Sequence, residues 1–345
     1  MQRTRVAIMG AGSVGAYLGG WLAAAADVTL VGREPLIDAV ERDGLTVTDL
    51  RGRSRTVRPD GLTLATDASA VVDAHYVLLT TKTLGTRQAV LQMAPYLLPD
   101  TVVISFQNGL RNASTIDETL SSAFPSRASR PLVLSGMVPF NVVRQDAAHW
   151  TQSTSGRIAV KDHPRVDPFV RAALGGGIRM DVEPDMRAVL FGKLLLNLNN
   201  AINALSAAPL AEQLRDRDHR VVLAACQDEA LGLARRLGIA PARLTPLPPA
   251  VVPMLLRSPT PVFTSLSRSA LKVSPHARSS MADDLDAGRP TEIDELQGAI
   301  VQLAADHGLS APVCARVAEL VREAQAEGDD RRRWTGAQLR AAVAV

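Results

Sequence analysis

The chain has 345 residues, of which 46% are hydrophobic and 21% charged, a composition typical of a globular protein long enough for two domains. No uncharged apolar run approaches the roughly 20 residues of a membrane span, because Lys193 and four asparagines interrupt the richest stretch, 188–210. The net charge of +3 is small and dispersed, which indicates an enzyme for anionic small molecules and argues against a nucleic-acid partner.

A strand begins by Arg5, which leaves no room for a signal peptide, so a cytoplasmic protein is expected. Cys226 and Cys314 match no metal spacing and are interpreted as reduced thiols. The six histidines are scattered and predict no metal site.

The first part of the chain alternates strand and helix patterns. Strands are predicted at 5–9, 28–31, 45–57 (as a hairpin around Arg51-Gly52), 75–81, 101–106, 132–143 and 157–160, with helices following residues 15 and 86. This alternation predicts an α/β fold, a Rossmann-type doubly wound parallel sheet, over residues 1–183.

The pattern changes after Val182, where strand signals nearly disappear. Helical periodicity covers 185–240, 280–286, 292–307 and 312–327, while the proline-rich segment 241–262 predicts a loop or broken helices. Residues 184–345 are therefore predicted to form an all-α C-terminal domain, in which 328–334 is a solvated tail or helix end. The long helices are compatible with a homodimer, but periodicity does not distinguish a subunit interface from packing within a domain.

A glycine-rich turn links the first strand to the first helix and predicts a dinucleotide site. Its residues are Gly10, Ala11, Gly12, Ser13, Val14 and Gly15. Gly10 permits the tight turn, Gly12 lets the backbone approach a pyrophosphate, and Gly15 lets the helix pack on the strand. The alternative is a glycine turn that binds no ligand.

The end of the second strand bears on the choice of cofactor. An NAD enzyme usually places an acidic residue there, whereas this chain has Arg33, whose guanidinium can pair with a 2′-phosphate. This favours NADP(H) over NAD(H). Glu34, one position later, and a role for Arg33 as one surface arginine among many are the competing interpretations.

Three further segments, together with the glycine turn, resemble the ketopantoate reductase (2-dehydropantoate 2-reductase) family. They are Lys82 with Phe106-Gln-Asn-Gly-Leu110; Phe191-Gly-Lys-Leu-Leu-Leu-Asn197; and 279–294 (Ser-Ser-Met-Ala-Asp-Asp-Leu-Asp-Ala-Gly-Arg-Pro-Thr-Glu-Ile-Asp) continuing to His307-Gly-Leu-Ser-Ala-Pro312. The resemblance runs from about Arg5 to Val321. It implies a Rossmann domain and a helical domain, with NADPH and a 2-oxo acid in the cleft between them.

The resemblance makes Lys193 the catalytic acid and Glu292 its acidic partner, which would hold Lys193 and the substrate hydroxyl and contact the cofactor. The residue pattern independently supports Lys193 as an acid, because burial in an apolar helix should lower the pKa of Lys193 towards neutrality. The alternatives are a lysine that extends to solvent and, for Glu292, a charge in the first turn of a helix.

The remaining site residues follow from the same resemblance. Asn197 lies one helical turn after Lys193, and Asn200, seven residues after Lys193, is preferred on that face over Asn203. Ser280 matches the carboxylate-binding serine, with a helix N-cap as its alternative. Asn108 and Lys82 follow neighbouring strands, and both are expected to contact the cofactor. Asn108 is also expected to contact the substrate; its alternative interpretation is an Asn-Gly turn that needs no ligand.

Two features depart from the family pattern. The run from Asn197 to Asn203 is two residues longer than in the family, and Ala277 stands where the family often has an asparagine, three residues before the binding serine. The missing amide leaves the identity of the 2-oxo acid open. The leading hypothesis is the NADPH-dependent reduction of ketopantoate. The alternatives are a reductase of another branched 2-oxo acid and a non-catalytic NADP(H)-binding sensor.

Overall fold

The computed structural model describes residues 3–267 and 277–345. The chain divides into two compact units, Met1–Met186 and Arg187–Val345. The first unit contains the strands described below and the second is helical.

The strands of the first unit are β1 (Thr4–Met9), β2 (Ala26–Val31), β3 (Leu45–Thr48), β4 (Ser54–Val57), β5 (Thr63–Ala65), β6 (Tyr76–Leu79), β7 (Val102–Ser105), β8 (Leu132–Met137), β9 (Val142–Asp146), β10 (His149–Gln152), β11 (Ile158–Lys161) and β12 (Met180–Glu183). Among the described residues, eight of them form one sheet in the order β12-β11-β8-β7-β6-β1-β2-β5. The strands from β8 to β5 in this order are parallel, and β11 is antiparallel to β8. The predicted α/β doubly wound fold is confirmed.

The helices of this unit are α1 (Ser13–Leu22), α2 (Glu34–Asp43), α3 (Thr86–Met93), α4 (Asn112–Ala123) and α5 (Asp167–Gly176). Strands β6 and β7 are buried at every position, as expected for parallel strands covered on both faces. Helix α1 can lie close to the sheet because Gly19 has no side chain; a Cβ at this position would come within 2.6 Å of the Leu30 side chain. This close packing fixes the start of α1 at the carboxyl end of β1.

A smaller sheet has the order β4-β3-β10-β9. The predicted hairpin at 45–57 is confirmed as the antiparallel pair β3 and β4. The prediction of one strand over 132–143 was wrong, because β8 and β9 belong to different sheets. Strand β10 was not predicted; its pairing partner β3 lies about 100 residues earlier, and no local pattern reports such a pairing.

The helices of the second unit are α6 (Met186–Asn197), α7 (Asn199–Ser206), α8 (Leu210–Arg215), α9 (Arg217–Arg236), α10 (Val252–Arg257), α11 (Thr260–Leu266), α12 (Ser280–Asp286), α13 (Gln297–Ala305), α14 (Pro312–Glu327) and α15 (Gly336–Ala342). The predictions for 280–286 and 312–327 are confirmed, and the proline-rich segment contains short helices. Residues 328–334 are largely exposed, but α15 after them was missed. Both cysteines are buried free thiols. Within the ranges that the structure describes, no helix has the length and apolar character of a membrane span.

Candidate active site

The glycine turn begins directly after β1. Gly10 has a φ of +94°, a left-handed conformation that favours glycine, and a Cβ there would lie 2.5 Å from the Thr81 side chain. The backbone N–H groups of Gly10 and Ala11 both donate to the carbonyl of Val31, at 3.0 and 2.9 Å. The turn is thereby fixed between the carboxyl ends of β1 and β2.

The other two glycines of the motif have contrasting surroundings. A Cβ at Gly15 would lie 2.5 Å from Thr80 Oγ1 and 2.8 Å from the Gly10 carbonyl, whereas one at Gly12 would meet only that carbonyl, at 4.0 Å. Gly12 is exposed and is the N-cap of α1, whose first turn has no side-chain cap and no acidic residue. The amides at this helix end are thus accessible, and the helix dipole favours an anion there.

The loops after β6 and β7 lie at the same sheet edge and bind one another. Thr80 Oγ1 donates to the Gly10 carbonyl at 2.7 Å, and Thr83 Oγ1 donates to the Asn108 carbonyl at 3.1 Å. Lys82 is exposed and Asn108 is half-buried. The structure therefore brings both predicted residues to the sheet edge that carries the glycine turn. At this edge the strand order changes direction, because β2 lies on one side of β1 and β6 on the other.

Arg33 follows β2 and is the N-cap residue of α2. Its side chain is exposed and has no hydrogen bond or ion pair within the described ranges 3–267 and 277–345. Glu34, also exposed, starts the helix. The guanidinium is therefore accessible to an anionic group at the end of β2.

Lys193 lies in α6, and burial lowers the pKa of its ammonium from 10.5 to about 8. The preceding Gly192 allows the Ala242 carbonyl to approach the helix, since a Cβ at this position would clash with that oxygen. Ala242 also donates its N–H to the Ala188 carbonyl at 2.9 Å. These contacts pack α6 into the unit and partly bury Lys193. Asn197, one turn later, is partly buried as well.

Leu198 separates α6 from α7, but its backbone remains helical, with φ −56° and ψ −24°, so the seven-residue spacing is still compatible with Asn200 on the face of Lys193. Asn203 is completely buried, and its amide binds the backbone of Ser279 and Ala208 at 2.8 and 2.9 Å. The Asn200 side chain is half-buried and has no hydrogen bond to any residue that the structure describes. Of these two asparagines, Asn200 is therefore the one whose amide has no bond to a described residue.

The N-cap of α12 is Ser279, whose Oγ accepts the N–H of Ala282 at 3.2 Å. The alternative interpretation of Ser280 as the cap was therefore wrong. Ser280 is the first residue of α12 and is exposed. Its hydroxyl is accessible to a ligand.

Glu292 is partly buried and precedes a short 3₁₀ turn, Ile293–Glu295. The alternative that placed Glu292 in the first turn of a regular helix was wrong, because α13 begins only at Gln297. The N–H of Thr291 donates to Gln325 Oε1 at 2.9 Å, which anchors this segment to α14.

Two buried glutamines near these residues were missed by the sequence analysis. Gln297 Nε2 donates to the Leu198 carbonyl at 2.7 Å, and Gln227 Nε2 donates to the Leu195 carbonyl at 3.0 Å. Gln297 belongs to an otherwise apolar buried face of α13. A glutamine at a core position of a predicted helix is the signal that could have revealed them. Among the described residues, no cluster of His, Cys, Asp or Glu could hold a metal ion.

Comparison with known proteins covers most of the chain. A family model described as ketopantoate reductase PanE/ApbA matches residues 6–165, and one for the C-terminal part of the same family matches 185–325. A 2-dehydropantoate 2-reductase of Halobacterium salinarum is 29% identical over 335 residues, which are 94% of this chain and 100% of the relative.

Solved structures have the same fold. A PanE/ApbA family ketopantoate reductase from Ralstonia eutropha superposes with a TM-score of 0.79 at 27% identity, over 94% of this chain and 99% of the other. A D-mandelate dehydrogenase, solved with NADH and anilino(oxo)acetate, reaches a TM-score of 0.76 at 18% identity, over 94% and 99% of the two chains. The second likeness concerns the fold alone.

Proposed function

Since the chain belongs to the ketopantoate reductase family, a family of nicotinamide-dependent oxidoreductases, we propose that it catalyses the NADPH-dependent reduction of 2-dehydropantoate to pantoate. Bound NADPH supplies the hydride that reduces C2 of the 2-oxo acid. The protein's own task is to hold both molecules and to deliver a proton to the C2 oxygen.

The observation that carries this proposal is the environment of Lys193. A pKa of about 8 keeps the ammonium largely protonated at neutral pH, yet makes it a far better acid than an ordinary lysine. Lys193 donates its proton to the C2 oxygen as the alkoxide develops. Glu292, half-buried in the same unit, orients the ammonium and accepts a hydrogen bond from the product hydroxyl.

The substrate carboxylate needs donors that are not already engaged. Ser280 offers an exposed hydroxyl and Asn200 an amide without another partner in the described ranges. The proposal also assigns Asn197, one turn from Lys193, and Asn108 to the substrate, although both residues already have a contact within the protein. Donors of this kind fix the carboxylate and so hold C2 in place for the reaction.

The residues present fit the dinucleotide. The open space beside Gly12 admits a pyrophosphate against the uncapped start of α1, from Gly10 to Gly15. The exposed Arg33 guanidinium would pair with the 2′-phosphate by charge-assisted hydrogen bonds, which is the reason to prefer NADPH. Lys82 and Asn108, at the ends of neighbouring strands, would line the nicotinamide half of the cofactor.

The test is a steady-state comparison of 2-dehydropantoate with other 2-oxo acids, including 2-oxoisovalerate and phenylglyoxylate, each with NADPH and with NADH. We expect the highest kcat/KM for 2-dehydropantoate with NADPH. Equal or better turnover of another 2-oxo acid would support the alternative favoured by Ala277, a reductase of a different branched substrate. NADPH binding without consumption of any substrate would instead indicate a sensor.

A further inference from the structure

The junction between α6 and α7 is held by side chains from two other helices. Gln297, from α13, donates to the Leu198 carbonyl, and Gln227, from α9, donates to the Leu195 carbonyl. Both glutamines are buried, with exposed fractions of 0% and 4%. The end of α6 is therefore fixed by hydrogen bonds from two elements that are distant in sequence.

The bond from Gln297 connects the two elements that carry the proposed proton-transfer residues. Leu198 lies five residues after Lys193, directly beyond the end of α6. Gln297 is the first residue of α13 and lies five residues after Glu292. This hydrogen bond thus links the end of the Lys193 helix directly to the helix that follows Glu292.

Packing alone does not account for a glutamine at this position. The Oε1 atoms of Gln297 and Gln227 are buried and have no hydrogen-bond partner among the residues that the structure describes. An unsatisfied buried carbonyl oxygen destabilises the fold, and a methionine of similar volume would avoid this cost. The feature that only the amide provides here is its N–H bond to Leu198.

We propose that Gln297 is a positioning residue, whose hydrogen bond to the Leu198 carbonyl holds Lys193 and Glu292 in the relative geometry needed for proton transfer. This inference rests on the proposed function, in which Lys193 is the acid. Misplacement of a reacting group by about 1 Å can lower the rate by as much as ~100-fold. Gln297 itself touches neither substrate nor cofactor in this role.

The chain contains a matched control in Gln213, which is also buried and whose amide forms reciprocal hydrogen bonds of 3.2 Å with the Asn199 side chain. The bonds of Gln213 end on a side chain of α7 and do not connect α6 with the segment of Glu292. Gln297→Met and Gln213→Met therefore both remove a buried amide and leave its partner unpaired. Only the first removes the hydrogen bond between the end of α6 and the helix that follows Glu292.

The experiment measures kcat, both KM values, the NADPH Kd, the melting temperature and the solvent deuterium isotope effect on kcat for the full chain. For Gln297→Met we expect kcat to fall by about 10- to 100-fold, an NADPH Kd close to that of the unsubstituted protein, and a larger isotope effect, because proton transfer becomes slower. Gln213→Met should keep kcat within about twofold at a similar loss of melting temperature. Gln297→Asn, whose shorter side chain withdraws the amide from Leu198, gives a second variant should the methionine protein not fold.

Equal kcat values in the Gln297 and Gln213 variants, or an unchanged isotope effect, would overturn the positioning role. Lys193→Ala separates this failure from that of the proposed mechanism. If Lys193→Ala abolishes turnover but Gln297→Met and Gln297→Asn do not reduce it, only the positioning role is wrong. If Lys193→Ala turns over normally, the proposed mechanism is wrong and the role of Gln297 fails with it.

Discussion

The backbone N–H of Ser279 donates a hydrogen bond of 2.8 Å to Oδ1 of Asn203, while Nδ2 of the same asparagine donates to the Ala208 carbonyl at 2.9 Å. Asn203 is completely buried, so its amide joins the end of α7 to the start of α12. The neighbouring candidate Asn200 contributes only its backbone carbonyl, which accepts a bond from Ser279 Oγ at 3.0 Å. The two asparagines therefore have separable roles.

This difference predicts that alanine substitution lowers stability at Asn203 and weakens substrate binding at Asn200. Asn203→Ala leaves the buried Ser279 N–H and the partly buried Ala208 carbonyl unpaired and should lower the free energy of unfolding by about 2–4 kcal/mol. Asn200→Ala should leave the free energy of unfolding nearly unchanged but raise the KM for the 2-oxo acid about tenfold or more, because a substrate hydrogen bond is lost. Urea unfolding and steady-state kinetics on both variants test the assignment, which is contradicted if Asn200→Ala is as active as the unsubstituted chain.

The glycine turn offers a second matched pair. A methyl group at Gly15 would collide with Thr80 and the Gly10 carbonyl, so Gly15→Ala should destabilise the protein by about 1–3 kcal/mol. A methyl group at Gly12 would lie 4.0 Å from the Gly10 carbonyl oxygen, and the backbone conformation of Gly12, with φ −79° and ψ −159°, suits alanine.

Gly12→Ala should therefore fold normally but bind NADPH at least about tenfold more weakly, because the added methyl occupies the space assigned to the pyrophosphate. Thermal unfolding without cofactor and fluorescence titration with NADPH measure the two effects separately. Normal NADPH affinity in Gly12→Ala would show that the pyrophosphate does not lie against this turn.

The elements that could be predicted from sequence are those with a local signal. The strand–turn–helix at Gly10, the hairpin around Gly52, and α12 and α14 each have a periodic pattern bounded by turn or cap residues. Helix α15 also has such a signal, the capping box between Thr335 and Gln338, and the sequence analysis overlooked it.

The features that could not be predicted depend on contacts between distant residues. Strand β10 pairs with β3 across about 100 residues, and the division between α6 and α7 at Leu198 lies in a run whose apolar periodicity continues without a break. At the site, residue types indicated Asn200 and, as the alternative, Asn203, but only the three-dimensional contacts distinguish a buried structural amide from one that is available to a ligand. The same holds for Ser279, whose role as the helix cap is not distinguishable in sequence from that of Ser280.

Arg33 provides the test of cofactor choice. Its exposed guanidinium at the start of α2 should contribute only to NADPH, so Arg33→Gln should raise the NADPH KM by roughly 10- to 100-fold and change the NADH KM little. Arg42→Gln is the control, because Arg42 is exposed near the other end of the same helix and pairs with Asp43. Equal losses with both cofactors would exclude a contact between Arg33 and the 2′-phosphate.

The proton-donor role of Lys193 predicts a specific pH dependence. In the direction of reduction the ammonium must be protonated, so kcat should be constant at neutral pH and fall as the pH rises through about 8. Lys193→Ala should lower kcat by roughly 10²- to 10⁴-fold with little change in the NADPH Kd. A pH profile of kcat that stays level to pH 10 in the unsubstituted chain would contradict the assignment.

The same burial predicts that Lys193 reduces the stability of the fold. The ammonium has a pKa of about 8 in the folded chain and 10.5 as the ordinary value, so folding disfavours the charged form. The resulting cost, on the order of 3 kcal/mol, is fully present below pH 8 and disappears as the pH rises through 10.5.

Lys193→Met should therefore be the more stable protein at pH 7, and the difference in the free energy of unfolding should shrink towards pH 10.5. Denaturant unfolding of both proteins at pH 7 and pH 10 measures this, with Lys161→Met as the control because Lys161 binds the Pro184 carbonyl from a strand end in the other unit. A catalytic lysine whose removal stabilises the protein while abolishing turnover is the combination expected when an active site retains a charge at the expense of stability.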